Sequence, residues 1–151
     1  MRNNRPYLIV SACLLGINCR YSGEKRADSR VLELIGKYSV MPLCPEQLGG
    51  LPTPRNACEI AAGRVIDAKG ADFTDNYIKG AQEVLRIARM FNCRFALMKE
   101  NSPSCGVNSI HDGTFSGGKI AGQGITSRLL REAGIKVFSE EETELLKEES
   151  A

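Results

Sequence analysis

The stretch YLIVSAC, residues 7–13, decides the fold. It is a nearly continuous apolar run rich in β-branched and aromatic residues, as a strand buried inside a parallel sheet requires. The pattern continues outward from it. Residues 29–37, SRVLELIGK, place Val31, Leu32 and Ile35 on one helical face, and YSVMPLC then reads as a second strand ending at Cys44. Beyond a segment punctuated by proline and glycine, GRVIDAKGADFT holds a short strand or excursion. TDNYIKGAQEVLRIARMFN is the longest helical pattern, with Thr74 or Asp75 as N-cap and Ile78, Ala81, Val84, Leu85 and Ala88 at helical spacing. RFALMKE, residues 94–100, makes a third strand, which NSPSCG cannot continue because of Pro103 and Gly106. A glycine-rich loop, HDGTFSGGKIAGQG, leads into the helix ITSRLLREAG, capped at Gly134. IKVFS is a fourth strand and EEETELLKEES an acidic terminal helix. Strands alternating with helices predict an α/β fold: a mostly parallel sheet with helices on both faces, forming a single compact domain over residues 1–151. In such sheets function gathers beyond the carboxyl ends of the strands.

At 151 residues the chain is long enough to bury a hydrophobic core without covalent staples. Its 20 basic and 18 acidic side chains leave a net charge of +2, which supplies no whole-chain attraction to nucleic acid or membrane. No apolar run approaches membrane-spanning length and the first residues lack a signal-peptide core, so the sequence reads as cytoplasmic. Six cysteines in a chain of this size, with no C-x-x-C pair, suit reduced thiols better than a disulfide scaffold, zinc ribbon or thioredoxin-like motif. Any metal site must be assembled from distant segments.

Cys13 and Cys44 end the first two strands, and Cys105 follows the third, which puts three thiols on one edge of a parallel sheet. Cys19, in GINCRYSG, sits near that edge as a fourth ligand or a neighbour. Cys93 falls at the opposite edge and, like Cys58, reads as structural. Three thiolates suit zinc, with His111 as the single histidine available, or an iron-sulfur cluster with one iron left open. An open metal position acts as a Lewis acid.

The blocks VSACLLG, CRYSG, LCPEQLGGLPTPR, ENSPSCG, DGTFSG, GQGITSRLL and VFSEE, in order along nearly the whole chain, resemble the family once called domain of unknown function 523, now associated with thiouracil desulfidase. The resemblance implies a non-redox desulfidase that converts the thiocarbonyl of 2-thiouracil or a related thiolated nucleobase to a carbonyl. It implies a [4Fe-4S] cluster held by Cys13, Cys44 and Cys105, whose remaining iron takes the substrate sulfur, with Glu46 as acid/base and Ser102 as helper hydroxyl. Aerobic purification would leave such a site empty or filled by zinc.

The chemistry stands beside the resemblance. Replacing C=S by C=O needs a Lewis acid on sulfur, a base for water and a donor for the leaving group. Glu46, two residues from Cys44, is a candidate base, and an equally ordinary carboxylate would only orient a ligand. Ser102 or Ser104 could donate to substrate sulfur, although turn formation beside Pro103 explains Ser104 better. Arg20, Tyr21, Asp112 and Thr114 are candidate substrate contacts; an Asp-Gly turn explains the last two as well. Arg55 either meets an anion or pairs with Glu59. The family more often has an acid where Ser22 stands, and an aromatic residue where His111 stands, which suggests a surface or loop place for the histidine. The expected partner is a small thio-nucleobase or nucleotide rather than nucleic acid. The alternative function is a non-catalytic metal or iron-sulfur module that delivers iron or sulfur.

Overall fold

The computed structural model describes residues 4–150. In chain order it contains β1 (Tyr7–Ser11), α1 (Ser29–Leu32), β2 (Ser39–Leu43), α2 (Pro45–Leu48), β3 (Cys58–Ala61), β4 (Arg64–Asp67), α3 (Thr74–Met90), β5 (Phe95–Met98), β6 (Ser109–His111), β7 (Lys119–Ala121), α4 (Ile125–Glu132), β8 (Lys136–Ser139) and α5 (Thr143–Glu149). Strands β2, β1, β5 and β8 lie side by side in that order, every pairing parallel. Because β2 and β5 flank β1 on opposite sides, the order reverses between β1 and β5, and a crevice opens beyond their carboxyl ends.

Both faces of this sheet are covered, which is why β1 and β5 are apolar without alternation. Ile9, Ala96 and Met98 point to the face covered by Val84, Leu85, Ala88 and Leu130 of α3 and α4. Leu8, Val10, Phe95 and Leu97 point to the other, against Val31, Leu34, Tyr38 and Leu146. Proline cannot donate to a strand ladder, and Pro42 is tolerated because β2 is an edge strand.

Several local expectations shift. The first helix is regular only over Ser29–Leu32, and Leu34 rather than Leu32 or Ile35 fills the core beside Val31. In α3 the buried stripe runs through Tyr77, Gly80 and Ala81, leaving Ile78 exposed, and the N-cap is Phe73 instead of Thr74 or Asp75. The region after the proline-rich segment forms an antiparallel hairpin, β3 with β4, and the glycine-rich loop contains a second, β6 with β7. After α4, Ala133 is the C-cap and Gly134 follows it at φ +86°, a left-handed conformation that glycine adopts without strain.

The close crossing of α2 and α3 positions the segment after β2. A Cβ placed on Gly80 would stand 1.9 Å from the Pro45 carbonyl oxygen, and one on Gly49 would stand 2.0 Å from that of Asn76. An exposed mid-helix glycine replaced by alanine stabilises a helix by roughly 1 kcal/mol. At Gly80 the sign reverses: Gly80→Ala is expected to destabilise by about 1–3 kcal/mol, because backbone must move to admit the methyl. Pro45 lies between Cys44 and Glu46, so the same variant should also lose activity. Urea titration beside turnover checks both; a variant as stable and active as wild type would contradict the tight crossing.

Candidate functional site

A cavity of about 390 Å³ opens at the carboxyl edge of the sheet. Cys13 reaches it from a 3-10 turn, Ala12–Leu14, directly after β1. Cys44 reaches it as the N-cap of α2, where Pro45 occupies the first helical position without wasting a donor. Cys105 comes from the loop after β5, and Glu46, Ser102, Arg20 and Tyr21 line the same space. Among the described residues all six cysteines are free.

The Cys105 loop is fixed from two directions. Glu100 Oε1 accepts from the backbone N–H groups of Val107, Asn108 and Ser109 at 2.7, 2.8 and 3.0 Å. From the other side, Ser127 Oγ donates to the Cys105 carbonyl at 2.7 Å, and the Ser104 and Thr126 hydroxyls share a bond of 3.0 Å. Burial pulls the Glu100 carboxyl upward, but the bonds from Asn108, Ser109 and Val107 outweigh it and leave it below its ordinary 4.5. A carboxyl depressed by folding stabilises the fold fully above its unfolded pKa, and that contribution is lost as pH falls through the lower folded value. Glu100→Ala leaves three N–H groups without their acceptor and is expected to cost on the order of 2–3 kcal/mol near neutral pH. The difference from wild type should shrink as acid protonates Glu100 in the wild-type protein; denaturant titrations across acidic pH measure it, and a pH-independent difference would contradict this role.

The thiols are electrostatically unequal. The Cys19 thiol lies within hydrogen-bonding reach of Cys13 and Cys44 and has one hydrogen to share between them; this proximity lowers the pKa of both and raises that of Cys19. For Cys44 that interaction outweighs burial, and with the Gln47 backbone N–H brings it to about 7. Burial pushes Cys105 up, with the Ser11 hydroxyl opposing. The turn carrying Cys19 is close: its carbonyl oxygen lies 3.8 Å from Cys44 Sγ. Cys19 therefore stands beside the two thiols as a hydrogen-bonding neighbour.

Glu46 is held by two groups. Tyr77 donates its hydroxyl hydrogen to Glu46 Oε1 at 2.5 Å, and Arg55 Nε reaches the same oxygen at 3.3 Å. Arg55, with its side chain only 6% exposed, also donates to the Cys19 carbonyl at 2.8 Å. Of the two alternatives for Arg55, the pairing with Glu59 does not form; its anion within the protein is Glu46. Glu59 instead accepts from Gly113 and Phe115 N–H at 3.0 and 3.1 Å, holding the β6–β7 hairpin against β3.

Ser102 Oγ accepts from the backbone N–H groups of Ser104 and Cys105, both at 3.1 Å, which leaves its own hydrogen for another acceptor. Three candidate substrate contacts are not brought to the cavity lining. Ser104 is fully buried against Thr126. Asp112 Oδ1 accepts from Thr114 N and Oγ1 at 3.0 and 2.6 Å, the ordinary turn that Asp-Gly forms.

Sequence reasoning passed over Tyr77, Lys99 and the cavity-facing position of Cys58. Lys99 bridges to Glu140 at 3.0 Å and adds positive charge near Cys13. Cys93 sits where it was expected, its thiol 3.2 Å from the Phe95 carbonyl at the amino edge of the sheet. His111 occupies β6 rather than a surface loop, and its Nδ1 is buried without a hydrogen-bond partner. Arg20, which also lines the cavity, has a buried and unpartnered Nε.

The donor chemistry fits a thiolate-bound group. Three thiols carrying charge in one small cavity would repel one another without a cation, and coordination deprotonates a thiol outright. Among the described residues no three of His, Cys, Asp and Glu already form the close-set group that one ion needs. A four-iron cluster takes its thiolates on separate irons, so its cysteines need not converge on a point as zinc ligands do.

Fold and site together define a doubly wound α/β domain with a cysteine-lined cavity at its topological switch point. The chain belongs to the 2-thiouracil desulfurase family, whose model matches residues 8–142. It is 42% identical, across 89% of its length and 96% of the relative's, to the uncharacterized protein YbbK of Bacillus subtilis (strain 168). Its fold is similar to that of a solved structure, the [4Fe-4S]-dependent thiouracil desulfidase TudS, with a TM-score of 0.89 and 41% identity, covering 95% of this chain and 96% of that one.

Proposed function

We propose that this chain is a [4Fe-4S]-dependent desulfidase that converts the thiocarbonyl of 2-thiouracil, or of a related thiolated nucleobase or nucleotide, to a carbonyl with release of sulfide. The observation that carries this reading is the meeting of Cys13, Cys44 and Cys105 on one cavity with Glu46 and Ser102. Those three cysteines would hold the cluster, which when bound supplies a Lewis-acidic iron that holds and polarises the substrate sulfur.

The remaining work falls to side chains. Tyr77 and Arg55 occupy Glu46 Oε1, so Oε2 takes a proton from water as the water oxygen bonds to the thiocarbonyl carbon. Ser102, whose oxygen already accepts two N–H groups, directs its hydrogen toward the departing sulfur. One water is consumed, a C–O bond forms, the C–S bond breaks, and hydrosulfide leaves with the electron pair of that bond, so no oxidant or reductant is needed. Arg20 and Tyr21, which line the same cavity, would contact the substrate ring.

The substrate class is a small molecule, in keeping with a cavity of about 390 Å³ and with a net charge of +2. No helix among the described residues is long and apolar enough to cross a membrane. Six free thiols suit a reducing compartment, and we place the reaction in the cytoplasm. Anaerobic reconstitution followed by a panel of 2-thiouracil, 4-thiouracil and thiolated nucleosides and nucleotides tests the proposal. A brown protein with about four irons and four sulfides per chain should release sulfide and form the matching carbonyl compound. A fully loaded protein that turns over none of the panel would overturn the enzyme reading in favour of a module that carries iron or sulfur.

A further inference from the structure

We infer that His111 is a substrate-binding residue, contacting the polar edge of the thiolated heterocycle through Nδ1; the inference rests on the desulfidase reading. Nδ1 is buried and has no hydrogen-bond partner within the protein. An unmade hydrogen bond on a buried polar atom is costly, so such atoms are retained where something arrives to complete them. His111 is one of the residues that line the cavity shared by Cys13, Cys44 and Cys105.

The mounting of His111 suits recognition rather than space filling. Its strand is locked to the Cys105 loop: Asn101 bridges to Ile110, and Ser109 Oγ donates to Asn101 Oδ1 at 2.7 Å. On its other side His111 pairs with Lys119 of β7, and the hairpin is tied to β3 through Gly113 N–H and Glu59. The backbone that carries the imidazole is thereby fixed relative to the Cys105 loop, on a strand, as a precise contact demands.

The chemistry of the two orphan atoms narrows the ligand. Arg20 Nε is only a donor and requires an acceptor, whereas a neutral imidazole carries one donor and one acceptor. A cyclic thioamide with a ring N–H beside a second carbonyl presents both kinds of group on its edge. Ligands with that unsubstituted edge, pyrimidine thiones and their oxo products, satisfy His111 and Arg20 together while the sulfur faces the thiols.

The test compares His111→Phe, which keeps a ring and removes the polar atom, with His111→Asn, whose amide places a polar atom near the position of Nδ1. Calorimetric Kd for uracil, the oxo product, is measured on the iron-loaded protein beside KM and kcat for 2-thiouracil. His111→Phe should weaken uracil binding and raise KM by roughly tenfold. Its kcat should stay within about threefold of wild type, the signature of lost binding shared by ground and transition states. His111→Asn should recover most of the affinity. His111→Leu makes the same comparison if phenylalanine disturbs iron loading. Unchanged Kd and KM in His111→Phe would mean that no ligand group meets Nδ1, and failure of asparagine to rescue would mean that the loss in His111→Phe does not come from the missing polar atom; either overturns the inference while 2-thiouracil turnover by wild type leaves the desulfidase reading standing. Loaded wild type that turns over no thio-base would instead defeat that reading, and the assignment of His111 with it.

Discussion

Cys44→Ser, prepared and reconstituted without air, should fold, fail to retain a full complement of iron, and release sulfide from 2-thiouracil no faster than buffer does. The fold survives because Cys44 lies outside the sheet, at the start of a four-residue helix, and serine is itself a favoured N-cap. The loss follows from chemistry: a hydroxyl is a far weaker ligand for iron than a thiolate, and Cys44 is the thiol brought to about 7 by the Cys19 hydrogen bond and the Gln47 N–H. Cys13→Ser should behave alike, since Cys13 is lowered by the same donor. Cys93→Ala is the control. Its thiol is buried at the far edge of the sheet, so the change should lower stability by about 1–3 kcal/mol and leave iron content untouched. Full iron and full turnover in Cys44→Ser would sink the three-thiol reading outright.

Glu46→Gln should have the second large effect and a different signature. The amide oxygen still accepts from Tyr77 and Arg55, so local geometry and iron loading should persist. What disappears is the base, and kcat is expected to fall by about 10²–10⁴. KM should move little, because the interaction removed is made in the transition state. Iron analysis, a binding isotherm for uracil and single-turnover sulfide release separate the two cases. A kcat close to wild type would reduce Glu46 to a carboxylate that only orients its neighbours.

Much of the fold could be read along the chain because buried parallel strands write a continuous apolar run into the sequence, and the helices between them keep their own period. Tyr7–Ser11, Ser39–Leu43, Phe95–Met98 and Lys136–Ser139 all fall within the stretches so identified. The two hairpins were harder, since β3, β4, β6 and β7 have three or four residues each and little periodicity to show. The stripe of α3 misled for another reason. Ile78 is the more apolar residue, yet Tyr77 is buried because its hydroxyl finds Glu46, and an aromatic ring with a satisfied tip packs as well as an aliphatic chain.

The site divides along the same line. Cys13, Cys44, Glu46, Ser102 and Cys105 share one edge because each follows a strand of a parallel sheet, and strand direction alone sends those loops the same way. That much belongs to the sequence, through local periodicity and the handedness of its crossovers. Tertiary structure alone decided that Arg55 meets Glu46 and not Glu59, that Ser104, Asp112 and Thr114 spend their oxygens within the protein, and that His111 lines the cavity with a buried, unpartnered Nδ1. Those outcomes depend on which distant segments come within about 3 Å of each other, a competition among hydrogen-bond partners settled by packing and leaving no period in the chain.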